Sequence, residues 1–176
     1  MYEWIPQKTN QKARTAVILL LTGTVALFAI TALFPAMPLR WLVQLIAIGM
    51  GTAAILLVTR YIAKSYLYRV IPTEGGDADL TVTERKSNRS RMVVCRVALS
   101  HIRERLLATP DNRTATEAWL TQQRQKRLRF FDYRADLLPD RSILLLVEEG
   151  GEPLVLRLSY DPTLYDLLTP HGQEDT

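Results

Sequence analysis

The sequence predicts an α+β chain: an N-terminal transmembrane helical hairpin, then a domain of short antiparallel strands that ends in a helix. Three features of the 176 residues lead there. Two long uncharged apolar runs fill most of residues 15 to 59. After residue 64 the apolar residues come in short alternating runs, and the last apolar cluster returns at helical spacing.

The first run, "TAVILLLTGTVALFAITALF" at 15–34, holds no charge, and at about 1.5 Å per residue it spans the roughly 30 Å hydrocarbon core. A second, "WLVQLIAIGMGTAAILLVT" at 41–59, follows the short connection "PAMPLR", so the two form a hairpin. Lys8, Lys12 and Arg14 supply the basic start of a secretory signal, but the run is too long for one and another follows it. Pro35 and Pro38 bracket the turn, where they remove backbone donors. Trp41, Tyr61, Tyr66 and Tyr68 are expected as interfacial anchors.

Short basic flanks stay in the cytoplasm. Lys8, Lys12 and Arg14 precede the hairpin and Arg60, Lys64 and Arg69 follow it, against Arg40 alone between the spans, which predicts two cytoplasmic termini in the plasma (inner) membrane. The expected organisation is a cytoplasmic segment 1–14, a hairpin 15–63, a cytoplasmic domain 64–170 and a disordered tail 171–176. On this topology the sequons at Asn88 and Asn112 have no role. The net charge of +4 belongs to the membrane region: residues 1–63 hold five basic residues and one acidic, and residues 64–176 hold seventeen of each. A balanced domain lacks the basic surplus of a nucleic-acid binder, so no nucleic-acid partner is expected.

Within the spans the polar groups are Thr22, Thr24, Thr31, Thr52 and Gln44, without an ionisable residue, which argues against transport by the hairpin alone. Thr22, Ala26 and Ala29 share one face of the first helix, and Ala47, Gly51 and Ala54 share one face of the second. Small faces let helices approach closely in lipid, so these are the expected packing residues, available to each other or to a partner's helix.

In the domain, strands are expected at 66–71, 79–84, 91–97, 103–109, 129–137, 142–148 and 153–159. "EGGD" at 74–77 marks a turn, and "EEGGEP" at 148–153 joins the last two strands as a hairpin. Residues 112–126 lack alternation and read as a helical insertion, with Ala115, Ala118, Trp119 and Gln122 along one side. "DPTLYDLL" closes the domain as a helix, with Asp161 as N-cap, Pro162 at the first helical position, and Leu164, Leu167 and Leu168 at helical spacing.

Seven short strands and a final helix, with the stretch "LTVTERKSNRSRMVVCRVALSHI" at 80–102, resemble the bacterial PH-like domain carried by small two-helix membrane proteins of bacteria. The resemblance implies a seven-stranded antiparallel open barrel whose end is covered by the helix. The missing glycine at the end of the basic turn and the 112–126 insertion depart from that pattern.

Arg85, Lys86, Arg89 and Arg91 fall on the turn between the second and third of these strands. They describe a solvated turn, a contact for anionic lipid at about 1 kcal/mol per cation, or a contact for a protein partner. The cluster at Arg124, Lys126, Arg127 and Arg129 leads into Phe130, Phe131 and Tyr133, with Phe131 and Tyr133 expected on a core face. The lone Cys95 reads as a small buried apolar residue. Ser100 and His101 are adjacent on a presumed strand end, so they cannot act as nucleophile and base. No cofactor, metal or catalytic residue is expected. The chain reads as a non-enzymatic interaction or scaffold module at the bilayer, with a protein partner, a larger membrane complex, anionic lipid, or its own copies as the alternatives.

Overall fold

The computed structural model describes residues 1–6, 11–36, 38–85 and 91–169. The chain divides into two compact units, one of residues 9–64 and one of residues 1–8 with 65–176, each described by itself.

In the first unit, α1 (Gln11–Leu33) and α2 (Arg40–Leu57) pack as a hairpin, and α2 continues through one π-helical turn at Val58–Ile62. Both helices are long and apolar enough to cross a membrane, and only 11% of each apolar window is buried. That low burial separates them from the core helices of a soluble protein. Ala13, Val17, Leu20, Thr24, Leu27 and Thr31, in alternating steps of four and three, lie on the covered side of α1, with Ala16 and Gly23 beside them. Val43, Ala47, Met50, Ala54 and Leu57 repeat the pattern on α2. This seven-residue period keeps one seam of each helix turned toward the other. The Thr24 hydroxyl donates to the Leu20 carbonyl at 2.8 Å and lies 3.4 Å from the Ala47 carbonyl of the other helix.

The second unit begins before the hairpin and resumes after it. β1 (Tyr2–Trp4) pairs antiparallel with β2 (Ser65–Pro72), β2 with β3 (Ala78–Arg85), and β3 with β4 (Arg91–Ala98), giving a sheet of order β1-β2-β3-β4. A turn of 3-10 helix at Leu99–His101 leads into β5 (Ile102–Ala108). Then come α3 (Arg113–Gln125), β6 (Arg129–Asp132), β7 (Ser142–Glu149), β8 (Glu152–Ser159) and α4 (Pro162–Leu167). The second sheet has the order β5-β7-β8-β6. Gly150 and Gly151 form the two-residue β7–β8 turn with φ of 59° and 84°, the doubly positive backbone such a hairpin requires.

The α+β class and the two apolar N-terminal helices stand, while the sheet architecture differs from expectation. The described residues form eight strands in two four-stranded sheets that do not close on one another. β6 pairs parallel with β8, not antiparallel. The physical reason is the order β7-β8-β6: residues 133–141 must carry the chain past the end of β8 before β7 begins. The Tyr133 amide donates to the Arg157 carbonyl at 2.8 Å and the Ala135 amide to the Ser159 hydroxyl at 2.9 Å, so the predicted strand at 129–137 stops at Asp132.

The core lies between the sheets. Tyr66, Tyr68, Val70, Leu80, Val82 and Val97 from the first meet Ile143, Leu145, Val147, Leu156 and Leu158 from the second. Leu164 and Leu168 of the C-terminal segment are fully buried in the same cluster, each burial contributing about 1.5–3 kcal/mol. Asp161 caps α4 by accepting from the Leu164 amide at 3.0 Å, and the Tyr2 hydroxyl donates to the same carboxylate oxygen at 2.5 Å. Tyr66 and Tyr68, expected as interfacial anchors, are core residues instead, because strand alternation at 66, 68 and 70 turns them inward.

α3 covers the outer face of the second sheet. The Trp119 indole donates to Glu104 of β5 at 2.9 Å. The buried side of α3 carries Thr116 and Gln123 with half-buried Trp119 and Leu120, while Ala115, Ala118 and Gln122 are exposed. The expected side is therefore rotated by about one position, a consequence of seating the helix on Trp119 and Leu120 rather than on its alanines.

Candidate interaction surfaces

Arg85 and Arg91 close the β3–β4 ladder as direct partners, and Ser65, the first residue of β2, pairs with Arg85 on the next strand. Two cations therefore share one rung of the ladder. Lys86 and Arg89 lie outside the described residues. Beyond Arg91, Met92 and Val93 are exposed at 68% and 56%, although they sit on opposite faces of the strand. Consecutive apolar residues exposed on both faces of an edge strand are not explained by the core.

In the helical hairpin, Ala47 and Ala54 are buried and Gly51 is half-buried; a Cβ built on Gly51 would meet the Thr24 methyl at 3.7 Å. Gly23 faces the Met50 methyl so closely that a Cβ there would clash. Ala26 and Ala29, with Thr22, are exposed and do not form the seam on α1. The contact runs instead through Gly23 and Thr24. Choosing the face by small residues alone missed the large but partly covered Leu20 and Leu27 that share the seam.

β6 is one of the two outer strands of the second sheet, opposite β5. Its Phe130 and Phe131 point to opposite faces and are exposed at 39% and 40%. The Arg124 guanidinium stands 5.8 Å from the Phe130 ring centre, and Phe131 stacks on Tyr133 at 6.3 Å with nearly parallel planes. Tyr133 is half-buried and bridges the open side of the core: its hydroxyl donates to the Val94 carbonyl of β4 at 3.2 Å, and its ring meets Tyr66 edge-on at 5.7 Å. Burial, with Cys95, Tyr66 and Glu84 nearby, pushes the Tyr133 phenol up to about 12. Phe131 was expected in the core; the short β6 ends before the chain turns inward at Tyr133, which leaves Phe131 at the rim. The aromatic-basic composition of 124–131 marks this edge in the sequence, and only the strand order shows that it is unpaired on one side.

Other marked residues take plain structural roles. Burial, followed by the charge of Glu149, pushes the Cys95 thiol up to about 11, so it is protonated at neutral pH. Ser100, in the 3-10 turn, donates to Asp77 of the β2–β3 turn, while His101 is exposed. The Asn112 amide nitrogen donates to the Leu107 carbonyl at 2.6 Å and its oxygen accepts from the Thr109 amide at 2.8 Å, so this sequon side chain is committed to the turn before α3. At the tip of the hairpin, Ile30, Leu33, Phe34, Pro35 and Ala36 line an open apolar cleft of about 540 Å³. No group of three or more His, Cys, Asp or Glu side chains suited to a metal occurs among the described residues. No protein-family model, curated protein or solved structure matches the chain.

Proposed function

We propose that the chain is a non-enzymatic, membrane-anchored module whose PH-like cytoplasmic domain holds a protein partner against the β6 edge. The observation that carries this reading is the pair Phe130 and Phe131, large aromatic side chains on both faces of a four-residue outer strand, bordered by Arg124 and Arg129. An extended segment added beside β6 would gain main-chain hydrogen bonds and cover both rings, and acidic side chains on it would meet the arginines. The PH-like assignment draws on the two sheets around one core and on the C-terminal helix that contributes Leu164 and Leu168.

Anchoring is supported by the apolar, mostly exposed surfaces of α1 and α2. Placement of both flanks on one side of the bilayer is supported by the β1–β2 ladder, and the choice of the cytoplasmic side by the basic residues that flank the spans. The test is a photo-cross-linking phenylalanine analogue at position 131 in the full chain in native membranes. A discrete protein adduct that disappears with Phe130→Ser and Arg129→Glu is expected. An adduct indifferent to both substitutions, or adducts with lipid only, would overturn the proposal.

A second reading, in which the hairpin docks in a larger membrane complex or against its own copy, is favoured by one observation. Thr22, Ala26 and Ala29 are small, exposed and unused by the hairpin's own seam.

A further inference from the structure

We propose that the segment received by β6 runs antiparallel to it and carries an apolar residue followed by two acidic ones, which makes the partner a short acidic strand of another protein. The inference rests on the reading of β6 as the partner-binding edge and narrows it.

Main-chain direction carries it first. The Tyr133 amide donates to the Arg157 carbonyl, and β6 runs parallel to β8 with Asp132 opposite Arg157. Backbone groups alternate sides along a strand, so Arg129, Phe131 and Tyr133 turn theirs toward β8, and Phe130 turns its N–H and C=O to the open edge. In an antiparallel addition one partner residue sits opposite Phe130 and exchanges both bonds with it, and this pairing is slightly more stable per residue than the parallel one. The partner residue before it then lies opposite Phe131, and the one after it lies opposite Arg129.

Side chains supply the chemistry at each position. Phe131 is on the face of Leu156, stacked on Tyr133 and 40% exposed, and an apolar neighbour would cover it. Opposite Phe130, on the other face, a carboxylate would meet the Arg124 guanidinium that stands near the ring. Opposite Arg129 a second carboxylate would displace Glu152, whose pair with Arg129 at 3.6 Å leaves both side chains 74% exposed and contributes little. Lys126 and Arg127, exposed and just before β6, extend the basic flank. Among the described residues Glu152 is the one carboxylate paired with any of these four cations. The other end of β6 carries the carboxylate of Asp132, so charge along the strand sets the partner's acids beside Arg129. Single-stranded nucleic acid fits less well, because Phe130 and Phe131 point to opposite faces and form no common stacking platform.

The test uses the full chain in detergent and a short fluorescent peptide with Val, Asp and Glu at the three positions and Thr elsewhere, followed by anisotropy. Saturable binding is expected. Methylating the backbone nitrogen of the peptide's Asp leaves every charge in place but removes the donor to Phe130, and should weaken binding by about tenfold. The same residues in reversed order should bind several-fold more weakly. Arg124→Glu with Arg129→Glu should abolish binding of the acidic peptide and create binding of one with Lys in place of both acids, which shows that the variant is folded. No saturable binding, indifference to the methyl group, or a preference for the reversed order would overturn the proposal. Displacement of the peptide by a lower concentration of oligouridylate would overturn it in favour of nucleic acid, and a position-131 adduct joining two copies of this chain would do so in favour of self-pairing. Failure of the underlying reading has a separate signature: the photo-cross-linker at position 131 would give no protein adduct in native membranes while the peptide still obeyed these rules in detergent.

Discussion

Tyr68 shows how one hydroxyl can tie two sheets together. Its ring is fully buried in the core, its O–H donates to the Tyr133 carbonyl at 2.7 Å, and the same oxygen accepts from the Ser159 amide at 3.3 Å. Tyr68→Phe keeps the packing but strands one donor and one acceptor, and should destabilise the domain by about 1–3 kcal/mol in a denaturant titration followed by the fluorescence of neighbouring Trp4. Cys95 offers a pH-dependent readout. With its thiol raised from 9.0 to about 11, the native state holds its proton more tightly than the unfolded chain does. Its contribution to stability is present below pH 9 and falls away as pH rises from 9 toward 11. At pH 8 its alkylation should run roughly a hundredfold slower than that of an unfolded control, and the gap should close above pH 11. Alternation in the sequence was enough to place Cys95 inside a strand, but Tyr68 read there as a membrane anchor. A tyrosine near an apolar span satisfies either role, and only strand register decides between them.

At the scale of elements, the hairpin separates two kinds of small residue. Gly51 sits against Thr24 in the seam, where an added methyl would already touch the Thr24 side chain at 3.7 Å, whereas Ala26 is exposed. Gly51→Leu should therefore loosen the pairing of α1 and α2, seen as faster proteolysis or a lower melting temperature in detergent. Ala26→Leu should leave both unchanged and weaken only association with another membrane helix. Blue-native electrophoresis of the two variants reads the difference. The elements themselves were largely legible: apolar run length marked both helices, "EEGGEP" marked the β7–β8 turn, and Asp161 with Pro162 marked the start of α4. Rotational settings were not. Both α1 and α3 are turned from their expected faces, because a helix seats on whichever neighbour covers it, and the identity of that neighbour is a property of the fold. β1 escaped notice for a related reason: three alternating residues, Tyr2, Glu3 and Trp4, gain strand structure only from the pre-existing edge of β2.

For the whole molecule, the decisive contact joins the chain on either side of the helical hairpin. Tyr2 reaches Asp161 at the cap of the last helix, the Trp4 ring lies tilted against Tyr68 at 5.6 Å, and Glu3 pairs with Arg69 at 3.0 Å. Reporters fused before Met1 and after Thr176 should accordingly mature in the same compartment, the cytoplasm. An extracytoplasmic signal from either would reverse the charge-based orientation. The strand end at Arg85, by contrast, was legible only as part of a charge cluster: its pairing with Ser65, 20 residues away in the chain, is a matter of strand register.

The β1–β2 ladder also imposes an order on biosynthesis. Trp4 leaves the ribosome 64 residues before its partner Tyr68, and closing a free loop of that length would oppose pairing by about 4 kcal/mol. Pairing of α1 with α2 brings the ends of the loop together beforehand, so the helical hairpin acts as the template on which the first sheet is completed. A chain whose two helices fail to pair keeps the β2 edge open, and the finished ladder therefore serves as a built-in record that the hairpin formed.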